Sequence, residues 1–385
     1  MIRRRTITSY VWNSVSGNKM VILSNCIRNF FRKFELIGNS VQGENPAPEN
    51  PQEIKSAGKW NEETQKYEVD VKVTGKNLFD QSKLISGFIN ITTGAFEESA
   101  NTSFANSLIL DKPILLKSGQ TLVTSVDNKY VQNFLRYRTY RKDGTFLINN
   151  EPLSFSYKAT EDLYVIALFY NGMSEEDKKS LQIEISDEPT TYEPYTEQTV
   201  QIALDEPLRG IVRINDGKNM QETLNPSGIT RRFKRVEITK DTPITYTLGQ
   251  YGAPETNTVI CRYKDASLKK AGAILCGELK NINNWTADKE SVSMTEQGID
   301  FRLSRERLGL GSDTTPEENK VAVIKYLTDH PLHCVAELNV PTTEPLPESV
   351  QQQLQALHSE NGTTHVFVDS GEVEAGINIE YKYKS

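Results

Sequence analysis

Three prolines, Pro46, Pro48 and Pro51, fall within six residues of the stretch from Phe34 to Phe79, FELIGNSVQGENPAPENPQEIKSAGKWNEETQKYEVDVKVTGKNLF. Each proline fixes φ and lacks an amide donor. The spacing therefore rules out a helix or a central strand and predicts an extended, polyproline-like connector between folded modules. On its near side Phe34 and Leu36 belong to a short apolar strand. On its far side Tyr67, Val69, Val71 and Val73 alternate with Glu68, Asp70, Lys72 and Thr74, the period of a half-buried strand.

Residues 76 to 197 carry the signals of an all-β module. Ser107 to Leu110, Ile114 to Leu116, Thr121 to Ser125, Val131 to Arg141, Thr145 to Ile148, Tyr164 to Tyr170 and Gln182 to Ser186 are short strand candidates between Gly, Pro, Asn or Asp turns. Asp143-Gly144 is the strongest hairpin signal, because both residues tolerate the positive φ of a type I′ turn. Beyond Glu197, Val200, Ile202 and Leu204 alternate with polar or small residues, and LRGIVRINDG and SGITRRFKRVEI read as further β segments. Arg231, Arg232, Lys234 and Arg235 form a basic run. Phe233 interrupts it in strand-like context, which favours an exposed strand face or an intersubunit contact over nucleic acid.

The C-terminal region mixes α and β. Thr315-Pro316-Glu317-Glu318 has capping-box spacing with Pro at the first helical position, so a helix runs through NKVAVIKYLTD until Pro331 ends it. In the strand from Leu332 to Val340, Leu332, Cys334, Ala336, Leu338 and Val340 share one face, with His333, Glu337 and Asn339 on the other. That split denies HPLHC the geometry of a metal cluster. A second helix follows Glu348, with Val350, Leu354 and Leu357 on one stripe and Gly362 as its stop, and INIEYKYK reads as a final strand.

Three segments, in the same order along the chain, carry a resemblance. GNSVQGENPAPENPQEIKSAG, followed by QKYEVDVKVTGKNLFD, resembles the N-terminal module of minor tail and tail-fibre proteins in phages and prophages of Gram-positive bacteria. Downstream, IEISDEPTTYEPY (Ile183 to Tyr195) is similar to the segment that closes the β-sandwich module of those proteins. VIKYLTDHPLHCVAELNVPTTEPL (Val323 to Leu346) is similar to their C-terminal segment. Residues 1 to 33 match nothing firm, and the match fades over roughly Thr242 to Arg307. The resemblance implies a mainly β, modular fold, with a jelly-roll-like β-sandwich of the carbohydrate-binding sort and a C-terminal mixed α+β module. The expected division is a basic arm (1–33), a Pro-rich connector with flanking strands (34–75), the sandwich (76–197), a β connector (198–240) and the α+β module (241–385). It further implies a virion tail-fibre or baseplate component, made in the host cytoplasm, whose partners are other tail proteins and a host-surface glycan. A homo-oligomer is expected, with a trimer favoured.

A sugar site needs aromatic faces for the C–H side of a pyranose and amide, carboxylate or guanidinium groups for its hydroxyls. Tyr130, Asn133, Arg136, Tyr137, Arg138, Tyr140 and Tyr170 are the candidates within the sandwich. For each one singly the plainer alternative is a half-buried packing tyrosine or a solvated arginine. Every formal side-chain charge from Met1 to Lys33 is positive, against −7 for the whole chain. Arg3, Arg4, Arg5 and Arg28, with Phe30, Phe31 and Phe34 as anchors, are accordingly candidates for docking on an acidic tail component, the alternatives being a solvated terminus and a membrane-surface helix, the latter weakened by the lack of a long apolar stripe.

The acidic balance argues against a nucleic-acid-binding body. The arginines at positions 3 to 5 precede Ser9, Asn13, Ser14 and Ser16 rather than an apolar core, so no signal peptide is read and no membrane insertion is expected. Cys26, Cys261, Cys276 and Cys334 lie far apart without CxxC spacing and read as free, packed thiols, a Cys261 to Cys276 bridge being the only sequence-local alternative. No GxSxG, HExxH or Walker A motif occurs, and Gly309-Leu310-Gly311 has Thr314 where a third glycine would stand. A non-enzyme without cofactor or metal is expected. A purely architectural subunit and a polysaccharide depolymerase are the alternatives, since glycosidase carboxylates are recognised by spatial separation rather than by motif.

Overall fold

The computed structural model describes residues 6–10, 20–26, 33–98, 106–125, 135–141, 143–147, 156–169, 174–247, 257–282, 289–296, 298–357, 362–371, 373 and 375–380. The fold is mainly β, 48% strand against 12% helix, in several sheets with a few helices near the C-terminus. A seven-stranded sheet forms the spine, in the order Thr6–Tyr10, Ala375–Glu380, Lys33–Gly38, Thr223–Asn225, Gly228–Ile238, Leu332–Pro345, Ile274–Cys276. One sheet thus gathers strands from segments that sequence order sets far apart. The positively charged N-terminal region contributes strands as well: Thr6–Tyr10 pairs with Ala375–Glu380, and Met20–Cys26 pairs with Gly362–Asp369.

A second sheet runs Glu197–Leu204, Lys66–Thr74, Gly362–Asp369, Met20–Cys26, with Lys59–Asn61 pairing with the first three residues of Lys66–Thr74. The period-two pattern does its expected work here. Val69, Val71, Val73, Val200, Ile202 and Leu204 all point inward and are buried against Leu36, Leu224, Ile229 and Val368. Burial of each such side chain is worth about 1.5–3 kcal/mol relative to exposure. The helix Glu348–Ala356 adds Leu354 and Leu357 to this core. It ends at Ala356, before Gly362, which instead opens the strand Gly362–Asp369.

A third core lies under the other end of the spine. The sheet Ile244–Thr247, Thr258–Tyr263, Gly298–Ser304, Ser291–Thr295 and the helix Pro316–Asp329 bury Phe301, Leu303, Val323 and Leu327 against Val236, Ile238, Leu332 and Cys334. The helix starts at the box read from sequence: the Thr315 hydroxyl accepts from Glu318 N at 3.3 Å, and the Glu318 carboxylate accepts from Thr315 N at 2.7 Å. On Leu332–Pro345 both faces are buried early in the strand. Cys334 and Ala336 enter the third core, while Val335 packs with Ile211, Phe233 and Ala273 on the reverse side. Val340, assigned to the apolar face from sequence, is 70% exposed.

Pro341 explains that departure. It offers no amide to the ladder, and the pairing of Gly228–Ile238 with Leu332–Pro345 slips between Arg231 and Phe233. Leu338 turns instead to a bridge with Leu268, and Asn339 N donates to Ser267 O at 2.8 Å. The amides of Arg232 and Phe233 go to the Glu222 carboxylate, at 3.1 and 3.2 Å.

The Pro-rich segment is not an extended spacer. Val41 and Lys55 bridge across it, and Asn50 N donates to Ala47 O at 2.9 Å, closing a tight turn with Pro48 in the second position, where its fixed φ is favoured. The folded loop then docks on the C-terminal region. Gln52 N donates to Gly277 O at 2.6 Å, the Gln42 amide donates to Cys276 O, and Glu49 meets Arg307 at 2.8 Å.

Candidate binding site

Lys66–Thr74 and Glu197–Leu204 are antiparallel neighbours, with Thr74 opposite Glu197. Gly75 N donates to Thr196 O at 3.1 Å, continuing the ladder by one more step. Residues 76–195 therefore leave and re-enter the body at adjacent points, as an insertion at the tip of a hairpin. Buried polar groups clamp the neck. The Asn77 side chain accepts from Phe79 N and Ile183 N, at 2.9 and 3.1 Å, and donates to Leu181 O and Glu193 O. Glu184 accepts from the Gln182 amide, Thr190 N and the Thr190 hydroxyl, and Lys76 pairs with Glu193 at 2.8 Å. These contacts come from GKNLF at one end and, at the other, from IEISDEPTTYEPY with Leu181 and Gln182 just before it.

Inside the insertion, two sheets face each other. One runs Phe146–Leu147, Leu135–Arg141, Leu163–Phe169, Leu108–Leu110, Leu84–Ser86; the other runs Ser156–Lys158, Thr121–Ser125, Gln182–Ile185. Between them lie Leu116, Leu122, Leu135, Tyr137, Leu163 and Ile183, in a core made only of residues of the insertion. The hairpin forecast at Asp143-Gly144 forms, with Tyr140 opposite Phe146. Of that pair only Gly144 has a positive φ, 86°, and it donates to Arg141 O at 2.9 Å. The turn is therefore not the type I′ form the two residues permit.

The candidate sugar contacts divide sharply. Tyr137 is 1% exposed, its hydroxyl bonded to Thr124, and burial pushes its phenol well above the ordinary range against that hydrogen bond. Its ring is part of the core and offers no face to a ligand. Arg138 is 3% exposed and donates to Tyr137 O. Tyr140 is half-buried beside Phe146 (ring centroids 5.2 Å apart), with its hydroxyl donating to Gly94 O at 2.8 Å; burial lifts its phenol to about 12, the Arg138 charge acting the other way. Arg136, partly exposed, donates to Leu135 O at 2.7 Å. The outer face of this sheet is thus roofed: Phe88 and Ile89, from the Phe88–Ile89 and Phe96–Glu97 hairpin, pack on Ile109 and Leu168. Tyr130, Asn133 and Tyr170 lie outside the described residues, as do Arg3, Arg4, Arg5, Arg28, Phe30 and Phe31.

Comparison of the chain with protein-family models, with curated proteins and with solved structures returns no match. The chemistry must therefore be read from the molecule itself.

One aromatic pair on the body lies outside the sugar-contact candidates read from sequence, with Trp60 exposed and Tyr67 half-buried against the core. Trp60, 42% exposed, sits across from Tyr67 with ring centroids 4.9 Å apart and planes inclined at 57°. The signal was a short-range one: Asn61 Oδ1 accepts from Glu63 N and Thr64 N, and Gln65 takes a positive φ of 54°, which folds KWN back onto KYEV. Tyr192, in the closing segment of the insertion, is also 42% exposed.

Charged clusters elsewhere are tied into the fold. Arg231, read from sequence as part of a basic strand face or contact, is 4% exposed; it donates to Glu222, Glu344, Pro207 O and Glu206 O. Arg213 forks onto Glu337 at 2.7 and 3.2 Å, and Glu337 also accepts from Ala273 N. Burial works to raise the Glu337 carboxyl, but these hydrogen bonds outweigh it and hold it below the ordinary range. Lys234 pairs with Asp265 at 2.8 Å. Among the described residues no group of three or more His, Cys, Asp or Glu is placed to hold a metal ion, and no helix is long and apolar enough to cross a membrane.

Proposed function

We propose that the chain is a phage tail-fibre or baseplate component that contributes to host-cell attachment by non-catalytic binding of surface glycan or protein. The observation that carries this reading is the insertion. A β-sandwich with its own core hangs from one hairpin, and the segments that clamp its neck are those in which the resemblance to tail proteins lies. Such a module is a unit for presentation: it meets a partner while the body holds its place in a larger assembly. In this reading the protein is made in the host cytoplasm, resides in the virion tail, and acts as a homo-oligomer among other tail proteins. Repetition of a weak site over several copies, as in a trimer, raises avidity without a strong single contact.

Glycan stacking falls to the exposed rings of Trp60, backed by the half-buried Tyr67, and of Tyr192, rather than to Tyr137. The test is to incubate the full-length oligomer with Gram-positive cell walls and with purified wall polysaccharide, then assay bound protein and new reducing ends. Adsorption without new reducing ends is expected, together with weaker adsorption and an unchanged melting temperature for Trp60→Ala. New reducing ends would replace this reading with a depolymerase. Failure of a folded oligomer to adsorb would replace it with a purely architectural adaptor.

A further inference from the structure

We propose that Cys276 and Cys334 are a cross-strand disulfide site, reduced where the chain is made and closed into a bond when it meets an oxidant. The two residues stand directly opposite one another on the antiparallel strands Ile274–Cys276 and Leu332–Pro345. Both are fully buried on the same face, in the third core. The Cys334 thiol lies within hydrogen-bonding reach of the Cys276 thiol.

The hydrogen-bond pattern sharpens the geometry. Gly277 N donates to His333 O at 2.9 Å, and Glu337 N donates to Ala273 O at 2.9 Å. Bonded positions alternate along an antiparallel ladder, so Cys276 and Cys334, one step from the Gly277 and His333 pair, occupy a non-hydrogen-bonded position. The Cys276 carbonyl agrees: it turns away from the neighbouring strand and accepts from the Gln42 side chain. Side chains approach closest at such positions, with Cα atoms about 4.5 Å apart, at the short end of the roughly 4.4–6.8 Å span a disulfide can bridge. That separation lies inside the span disulfides ordinarily occupy, so the bond can close with the two strands kept in register. A buried cysteine is ordinarily a small apolar filler. Two of them opposed at a non-hydrogen-bonded site form a pair with a reaction open to it.

The reaction removes one proton and one electron from each thiol and joins the sulfurs, while a disulfide oxidant such as oxidised glutathione is reduced to two thiols. One protein thiolate displaces a glutathione thiolate to give a mixed disulfide; the second then displaces the other glutathione. The surroundings make the folded state slow to react. The Cys276 thiol donates to Glu278 at 3.3 Å, and the Cys276 hydrogen bond, burial and the Glu278 charge hold the Cys334 thiol protonated.

The test therefore uses two routes on the full-length chain: refolding from urea in a glutathione redox buffer, and exposure of the folded chain to diamide, a small uncharged diazene that is reduced to the hydrazine. After denaturation and alkylation, the expected product has lost two hydrogens. Its non-reduced tryptic map links peptide 271–280 to peptide 326–382. The oxidised chain should melt several degrees above the reduced one, and dithiothreitol should reverse the shift. The proposal is overturned if Cys276 and Cys334 are alkylated as free thiols after both routes, or if the link that forms involves Cys26 or Cys261 instead.

Discussion

Removing the Glu222 side chain would take the acceptor from three backbone amides, those of Arg209, Arg232 and Phe233, and a counter-charge from a buried guanidinium in one step. Glu222 is fully buried, and its need arises from Pro341, where the neighbouring strand slips away and leaves the Arg232 and Phe233 amides facing the protein interior. A carboxylate satisfies these two amides with one oxygen and the Arg209 amide with the other, but brings a charge, which Arg231 balances while donating to two backbone carbonyls and Glu344. Breaking a buried pair by deleting one partner typically costs about 3–5 kcal/mol, and here Arg231 would be left with the exposed Glu344 in place of its buried counter-charge. Glu222→Ala is expected to lower stability by about that amount in urea unfolding, whereas Glu222→Gln, which keeps an oxygen for the amides, should lose distinctly less. A loss below about 1 kcal/mol for the alanine variant would show that water or a rearranged strand serves the amides just as well. The same logic explains Arg231's place in the fold: a basic run on a strand reads as a solvated face until the partner's proline is known.

Elements whose signals lie within a few residues of one another were legible in advance; those made by distant partners were not. The helix Pro316–Asp329 belongs to the first kind. Its first-turn amide is satisfied by Thr315, and Glu318 returns the bond, so Thr315→Ala should cost about 1 kcal/mol, read as a lower urea midpoint at unchanged slope. An unchanged midpoint would mean that tertiary packing of Val323 and Leu327 alone holds the helix. Lys66–Thr74 and Glu197–Leu204 were legible for a similar reason, since period two records which face is buried without naming the neighbour. The prolines at 46, 48 and 51 forbade a strand, as argued from sequence, but could not tell an extended spacer from a loop turned back at Ala47–Asn50. The contacts that settle this are with Gly277, Cys276 and Arg307, more than two hundred residues away. The candidate sugar residues failed in the same way. Alternation along Leu135–Arg141 marks Tyr137 as inward or outward but not which, and the Phe88–Glu97 hairpin that roofs the other face is invisible to it.

At the scale of the whole molecule, the consequence of the hairpin insertion is that body and sandwich are separable. Among the described residues, the sandwich core draws on none outside the insertion, and the cores of the body draw on none within it. Among the described residues the contacts across the neck include the Tyr195 hydroxyl donating to Glu197, Lys72 lying 5.8 Å over the Tyr195 ring, and Ile114–Leu116 approaching Met20–Cys26. Gly75 and Thr196 already form a hydrogen-bonded rung, the flank that a two-residue hairpin turn requires. Replacing Lys76 to Tyr195 with Asn-Gly is therefore expected to leave a body that folds cooperatively. Residues 76–195 expressed alone should also unfold in a single transition. Two independent transitions in calorimetry of the full chain, each matching one of the two fragments, would be the direct signature. A body that loses its β circular dichroism on excision would show instead that the sandwich completes the fold. If the fragments do fold apart, the adsorption assay can be run on each, and the proposed attachment function acquires an address. Binding that follows the sandwich would place the partner on the inserted module, whereas binding that follows the body would point to the ring pair of Trp60 and Tyr67.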